Sequence, residues 1–210
     1  MVVVRRLGCC GRPLISKGQL GTARRWAAAA VEALRPYAER GIPIVGTEPS
    51  CLLTLRDEYP DLLGTVAAST VAGQALLLDE LVAGLTAREP EVASRFGSVA
   101  ASRALLHAHC HQKSITGPEP TLRALRLIPG LQVELIDSAC CGMAGSFGFE
   151  AEHYDISRAM AMRSLVPAVD AVPSDVEILV TGVSCRQQID QFSTRRPRHA
   201  VELLAESLGT

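Results

Sequence analysis

One tripeptide occurs twice in this chain, and the two copies fall in register. Laid against itself with a shift of 131 positions, the chain puts Cys9, Cys10 and Gly11 over Cys140, Cys141 and Gly142. In the same register Val2 overlies Val133, Leu34 overlies Leu165 and Pro36 overlies Pro167, with no gap. After three inserted residues, "EPSC" ending at Cys51 meets "GVSC" ending at Cys185. An internal duplication accounts for this agreement, so the fold must be built from two related units.

Each half reads as strand, CCG turn, helix, strand and a second turn ending in Ser-Cys. The runs "VVV", "GIPIVGTE", "RALLHAH", "LQVELID" and "VEILVTG" are short and aliphatic or β-branched, as strands are. Helical periodicity lies between them. Ala27, Val31 and Leu34 share a face with Trp26, Ala30, Ala33 and Tyr37 beside it, and Gly41 and Pro43 end that helix. Leu78, Leu81, Val82 and Leu85 form a second stripe closed by Pro90, and "HAVELLAESL" forms another helix. A helix after the second CCG is expected to carry Phe149, Ile156, Ala159 and Met160. Strands alternating with helices predict an α/β fold: two pseudo-symmetric repeats, each a short, mainly parallel sheet flanked by helices. The first repeat is assigned to residues 1–86, a linker to 87–102 and the second repeat to 103–210.

The 210 residues, 48% of them hydrophobic, are enough for two small cores. Lys and Arg total 21 against 22 Asp and Glu, so no basic excess points to nucleic acid. No run approaches the roughly 20 apolar residues that a membrane helix needs, and the start "MVVVRRLGCC" lacks the order of a secretory signal. A cytoplasmic protein is expected, reaching a membrane only through partners. The seven cysteines, at 9, 10, 51, 110, 140, 141 and 185, are odd in number and cannot all pair within one chain. Adjacent cysteines have α-carbons about 3.8 Å apart, short of the roughly 4.4–6.8 Å that a disulfide spans. Reduced thiols, metal ligands or redox centres remain.

Cys110 follows one predicted strand, Cys140 and Cys141 a second, and Cys185 a third. In a parallel sheet these strand ends share one edge, where open α/β sheets place their ligands. Four converging thiolates suit an iron–sulfur cluster or a tetrahedral Zn²⁺. Both CCG turns are expected between a strand end and a helix start, where N–H groups and the helix dipole stabilise thiolates. Gly142, Gly145 and Gly148 would let the backbone approach a bulky ligand, or simply form a turn. His109 and His111 flank Cys110. On an extended strand they face away from it, with His107 on their side, so hydrogen bonding around the site fits them better than activating a nucleophilic thiol. Lys113 and Gln112 are candidate supporting residues, Glu48 and Asp137 candidate caps or surface acids, and Arg186 a candidate counter-charge.

The segments "CCGRPL", "EPSC", "HCHQKS", "CCGMAGSFGFEAEHYD" and "SCRQQI" together resemble the cysteine-rich CCG domains of the heterodisulfide reductase B subunit. They resemble most closely the C-terminal iron–sulfur region of FAD-linked oxidases and dehydrogenases of D-2-hydroxy acids such as lactate or glycolate. The resemblance implies an electron-transfer module whose metal ligands are Cys110, Cys140, Cys141 and Cys185, with Cys9, Cys10 and Cys51 as a second, incomplete set. It implies Gly142, Gly145, His109 and His111 beside the cofactor, and a 4Fe–4S cluster, cubane or not, with zinc as the alternative. The redox partner is expected to be a flavoprotein or ferredoxin-like protein, with FAD on that partner or on an upstream domain. In this chain Gln188 and Thr54 stand where the family's C-x-x-C motifs carry a last thiol, and the first repeat lacks a counterpart of Cys110. The chain is therefore expected to be truncated at its N-terminus. A zinc-stabilised assembly domain and a thiol–disulfide oxidoreductase of heterodisulfide reductase type are the alternatives.

Overall fold

The aliphatic runs that precede cysteines become strands, and each feeds a helix. The structure, a computed structural model, describes residues 1–4 and 7–209. The chain divides into two compact units, Met1–Leu77 and Leu78–Thr210.

The first unit contains α1 (Arg12–Ser16), α2 (Leu20–Ala38), β1 (Ile44–Gly46), α3 (Pro49–Leu53), α4 (Tyr59–Leu63), α5 (Val66–Gln74) and β2 (Ala75–Leu77). A π-helical turn, Thr54–Glu58, joins α3 to α4. Strands β1 and β2 pair in parallel, with Ile44 opposite Ala75. Helix α2 buries Ala23, Ala27, Val31, Leu34 and Ala38 at spacings of three and four, the stripe of an amphipathic helix. It packs on α5, which buries Ala68, Val71 and Ala72. The strand expected at Val2–Val4 is absent: among the described residues this sheet has only β1 and β2, so the run has no partner, and Val2 and Val3 stay exposed. The adjoining Arg5 and Arg6 of that stretch lie outside the described residues. Strand β2 was hidden within "GQALLLDELVAGL", because three apolar residues between helical patterns carry no period of their own.

The second unit contains α6 (Leu78–Arg88), β3 (Arg103–His107), α7 (Cys110–Ile115), α8 (Glu119–Leu125), β4 (Gln132–Leu135), α9 (Tyr154–Arg163), α10 (Leu165–Ala171), β5 (Glu177–Val180), α11 (Val183–Phe192), β6 (Arg198–His199) and α12 (Ala200–Ser207). Its sheet runs β4-β3-β5-β6, every pair parallel, with Leu106 opposite Leu135 on one side and Leu179 on the other. Side chains alternate across β3. Ala104 and Leu106 join a core with Leu125, Ile128 and Leu203, while Leu105 joins another with Leu165, Ile178, Val180 and Ile189. Burying one such Leu or Ile is worth about 1.5–3 kcal/mol. This is a three-layer α/β unit. The connection leaving β3 goes to β4, whereas the one leaving β4 crosses to β5, so the chain reverses direction between β3 and β5. Ligands of open sheets bind at the carboxyl ends of strands flanking such a reversal.

Two helices bury residues besides those their apolar patterns suggest. Helix α6 buries Asp79 and Ala83, and its leucines are only half-buried. The Asp79 carboxylate accepts from Gln112 Nε2 at 3.2 Å and from the Thr121 hydroxyl, so a buried polar knot ties α6, α7 and α8 together. Helix α9 buries Ser157 and Ala161, while Ile156 and Phe149 stay exposed. Among the described residues no helix is long and apolar enough to cross a membrane.

Candidate metal centre

Two local devices position the cysteines, and both appear in each unit. Cys51 is the third residue of α3 and Cys185 the third of α11, each close behind a short strand. At that depth a side chain still feels the unpaired N–H groups and partial positive charge of a helix start. The second device is the CCG turn. Gly11 N donates to Cys9 Sγ at 3.5 Å, and Gly142 N donates to Cys140 Sγ at 3.4 Å. Both glycines are left-handed, with φ of 85° and 101°. Cys110 is the first residue of α7.

In the second unit these placements bring four sulfurs near one another in a row, Cys110 beside Cys140, Cys140 beside Cys141 and Cys141 beside Cys185. The neighbouring Cys110, then Cys141, draws Cys140 far below the usual thiol range, against the cost of burial. Cys141 likewise draws Cys185 well below it. The other two move the opposite way: Cys110 is pushed up first by its neighbour Cys140, and Cys141 by Cys140 and Cys185. The first unit repeats the pattern in small. Cys10 is pushed up by its neighbour Cys51 and by burial, and Cys51 is drawn down by Cys10. Tyr59, fully buried, donates to the Cys10 carbonyl at 2.8 Å and fixes that turn. Sulfur-rich donor sets of this kind suit zinc and iron–sulfur clusters, not Mg²⁺ or Ca²⁺, which take oxygen. The residues present fit a thiolate-held metal or cluster.

The neighbours expected around the site take more varied places. Strand β3 stops at His107 and Cys110 opens a helix, so the alternation expected through His109 and His111 does not apply. His109 caps α7: its Nδ1 accepts from His111 N at 3.2 Å, its Nε2 lies 3.3 Å from Ser184 Oγ, and its backbone N–H reaches Thr181 Oγ1 at 2.9 Å. His111 is half-buried in the first turn of α7. The first CCG does precede a helix directly, but the second lies in a loop, and α9 begins only at Tyr154. The loop's reason is close packing. A Cβ on Gly142 would lie 2.4 Å from the Ser157 carbonyl oxygen, and one on Gly148 2.6 Å from Met143 Sδ. Gly145 is left-handed, with φ of 66°. Lys113 donates to the Ser138 and Ala139 carbonyls, strapping the Cys110 helix to the loop that enters Cys140. Glu48 caps α3 through Ser50 N at 3.0 Å, Asp137 is exposed, and Arg186 pairs with Glu202 at 3.0 Å on the surface. Gln188 is buried and donates to Ser157 O and Oγ at 3.0 and 3.1 Å, while Thr54 donates to Ser50 O at 2.7 Å.

Sequence reasoning missed Ser138 and Ser157. Both are small polar residues in otherwise ordinary contexts, and only the tertiary approach of the CCG loop gives them work.

Comparison with known proteins places the sequence among cysteine-rich domains. The family model CCG, described as a cysteine-rich domain, matches residues 1–56 and 104–190, segments that hold all seven cysteines. The C subunit of the anaerobic glycerol-3-phosphate dehydrogenase of Escherichia coli is 32% identical over 206 residues, covering 96% of this chain and 50% of that protein. D-2-hydroxyglutarate dehydrogenase of Pseudomonas putida is 32% identical over 199 residues, covering 93% of this chain and 18% of that protein. Its Escherichia coli namesake is 29% identical over 191 residues, with 90% and 18% covered. The chain spans half the length of the first of these relatives and under a fifth of the other two.

Proposed function

The chain belongs to the CCG cysteine-rich domain family, and from that premise we propose that it is the electron-transfer module of an oxidoreductase acting on 2-hydroxy acids or similar substrates. Cys110, Cys140, Cys141 and Cys185 hold an iron–sulfur cluster of 4Fe–4S type, and Cys9, Cys10 and Cys51 form a weaker second set. A cluster so bound supplies a one-electron store. The chain's own residues fix its seat: the starts of α7 and α11 and the CCG turn direct N–H groups at the sulfurs and offset their negative charge. Lys113 keeps Cys110 and Cys140 in step. Substrate oxidation takes place at a flavin on a flavoprotein partner or adjoining domain, or the partner is ferredoxin-like; the setting is cytoplasmic. Support comes from the relatives, named as dehydrogenases or a dehydrogenase subunit.

The observation that carries this reading is the contact among sulfurs from three separate segments. Cys110 and Cys185 are 75 residues apart, yet Cys140 and Cys141 lie between them as neighbours that shift their thiols. Anaerobic purification tests it. Brown protein with iron and acid-labile sulfide in comparable amounts is expected. Colourless protein with stoichiometric zinc would replace the redox assignment with a structural one, and metal-free protein with one substrate-trapped thiol would point to thiol–disulfide chemistry.

A further inference from the structure

His107 stands apart from the other histidines near the sulfurs. It ends β3, is completely buried, and lies on the same sheet face as Leu105, the face that Cys141 and Cys185 also pack against. Its Nδ1 is 2.8 Å from Ser138 Oγ. Its Nε2 is buried and makes no conventional hydrogen bond among the described residues. Across from the ring lies the Cys185 sulfur, itself completely buried, whose charged form His107 favours. His109 offers a contrast. Its Nδ1 is taken up in capping a helix, and its Nε2 meets a serine.

Burial leaves a sulfur anion few ways to be satisfied. A neutral imidazole has one N–H and one lone pair. With Nε2 bare, a lone pair would confront a buried thiolate. With Nε2 protonated, the ring donates to the sulfur and Nδ1 accepts from the Ser138 hydroxyl. The second arrangement satisfies every group. Ser138 is well held for this task, because its carbonyl accepts from Lys113 and its N–H donates to Ile136 O at 3.0 Å.

We propose that His107 is a positioning residue of the thiolate centre: locked by Ser138 as its Nε2–H form, it donates a hydrogen bond to Cys185. No proton is transferred. The inference rests on the proposed reading of Cys110, Cys140, Cys141 and Cys185 as a metal site. Partners that orient a metal's ligands are worth about 10- to 100-fold in affinity.

Cobalt(II) loaded into the anaerobic full chain is the probe, because its thiolate-to-metal charge-transfer band reports the electron density on sulfur. An N–H donor lowers that density and moves the band to higher energy. His107→Leu is expected to shift the band to lower energy and to weaken cobalt binding about 10- to 100-fold. His107→Gln, which keeps an N–H near the position of Nε2, restores most of the band position. Ser138→Ala, which leaves the ring in place but frees its tautomer, gives a smaller shift in the same direction and serves if His107→Leu does not fold. Cobalt bound normally, with an unmoved band in both His107→Leu and Ser138→Ala, overturns the role of His107. Wild-type protein with no thiolate-to-cobalt band overturns the metal site itself and takes this inference with it.

Discussion

The two units use the same small parts and put them to different ends. In both, a CCG turn points a glycine N–H at the first sulfur, and a third helical residue supplies a sulfur that the turn's second cysteine touches. In both, that helical cysteine is drawn toward the thiolate. The sheets differ. The second unit has four strands and a cysteine at the exit of β3, whereas the first has two strands and nothing in that place among the described residues. Its sulfurs are also wetter: Cys9 and Cys51 are exposed, whereas Cys141 and Cys185 are buried. Local chemistry is therefore shared between the units, and the sulfurs differ in how dry they are. Dryness matters because each sulfur charge is felt more strongly by its neighbours in a low dielectric.

Matched substitutions in the two units can break this contrast. The largest difference is expected for the cysteines. Cys141→Ser should remove the metal of the second unit almost completely, while Cys10→Ser leaves that metal in place. Elemental analysis of anaerobically purified variants checks this, and equal loss from both would contradict the ranking of the units. The glycines come next. Gly142→Ala must push a Cβ against the Ser157 carbonyl from a left-handed backbone, and should cost about 3 kcal/mol or more. Gly11→Ala meets nothing closer than 3.8 Å and should cost only the left-handed strain, about 1–2 kcal/mol. Urea denaturation of metal-free protein separates the two. The smallest difference concerns the residues in the place of the missing thiols. Gln188→Ala removes two buried hydrogen bonds to Ser157, a loss of about 2 kcal/mol. Thr54→Val removes one bond to a carbonyl one turn back and should stay within about 1 kcal/mol. Equal losses in the same denaturation assay would mean that Gln188 does not pin α11 to α9.

The contrast was partly legible beforehand. The repeat register placed Cys9 with Cys140 and Cys51 with Cys185, and the aliphatic runs before Cys51, Cys110 and Cys185 gave β1, β3 and β5; β3 and β5 are buried parallel strands, which read as continuous apolar runs. Where tertiary packing overrode local pattern, the reading failed. The apolar Ile156 suggested one face of α9, yet the CCG loop needs the Ser157 carbonyl beneath Gly142, which turns the other face inward. Asp79 looked like an interruption in an apolar stripe and is instead a buried acceptor for Gln112 and Thr121. His109 gave no capping signal, since Ser, Thr, Asp and Asn are the residues favoured there. The site's sulfurs were foreseeable because spacing reveals them. Their supports, Ser138, Ser157 and Lys113, act across loops that no spacing encodes.

X-ray absorption at the edge of the bound metal tests the common seat of the four sulfurs most directly. In protein carrying Cys9→Ser, Cys10→Ser and Cys51→Ser together, the remaining metal should show a first shell of sulfur alone, at about 2.3 Å, and adding Cys110→Ser should reduce or abolish it. A first shell of nitrogen or oxygen, or one that Cys110→Ser leaves unchanged, would contradict a centre shared by Cys110, Cys140, Cys141 and Cys185.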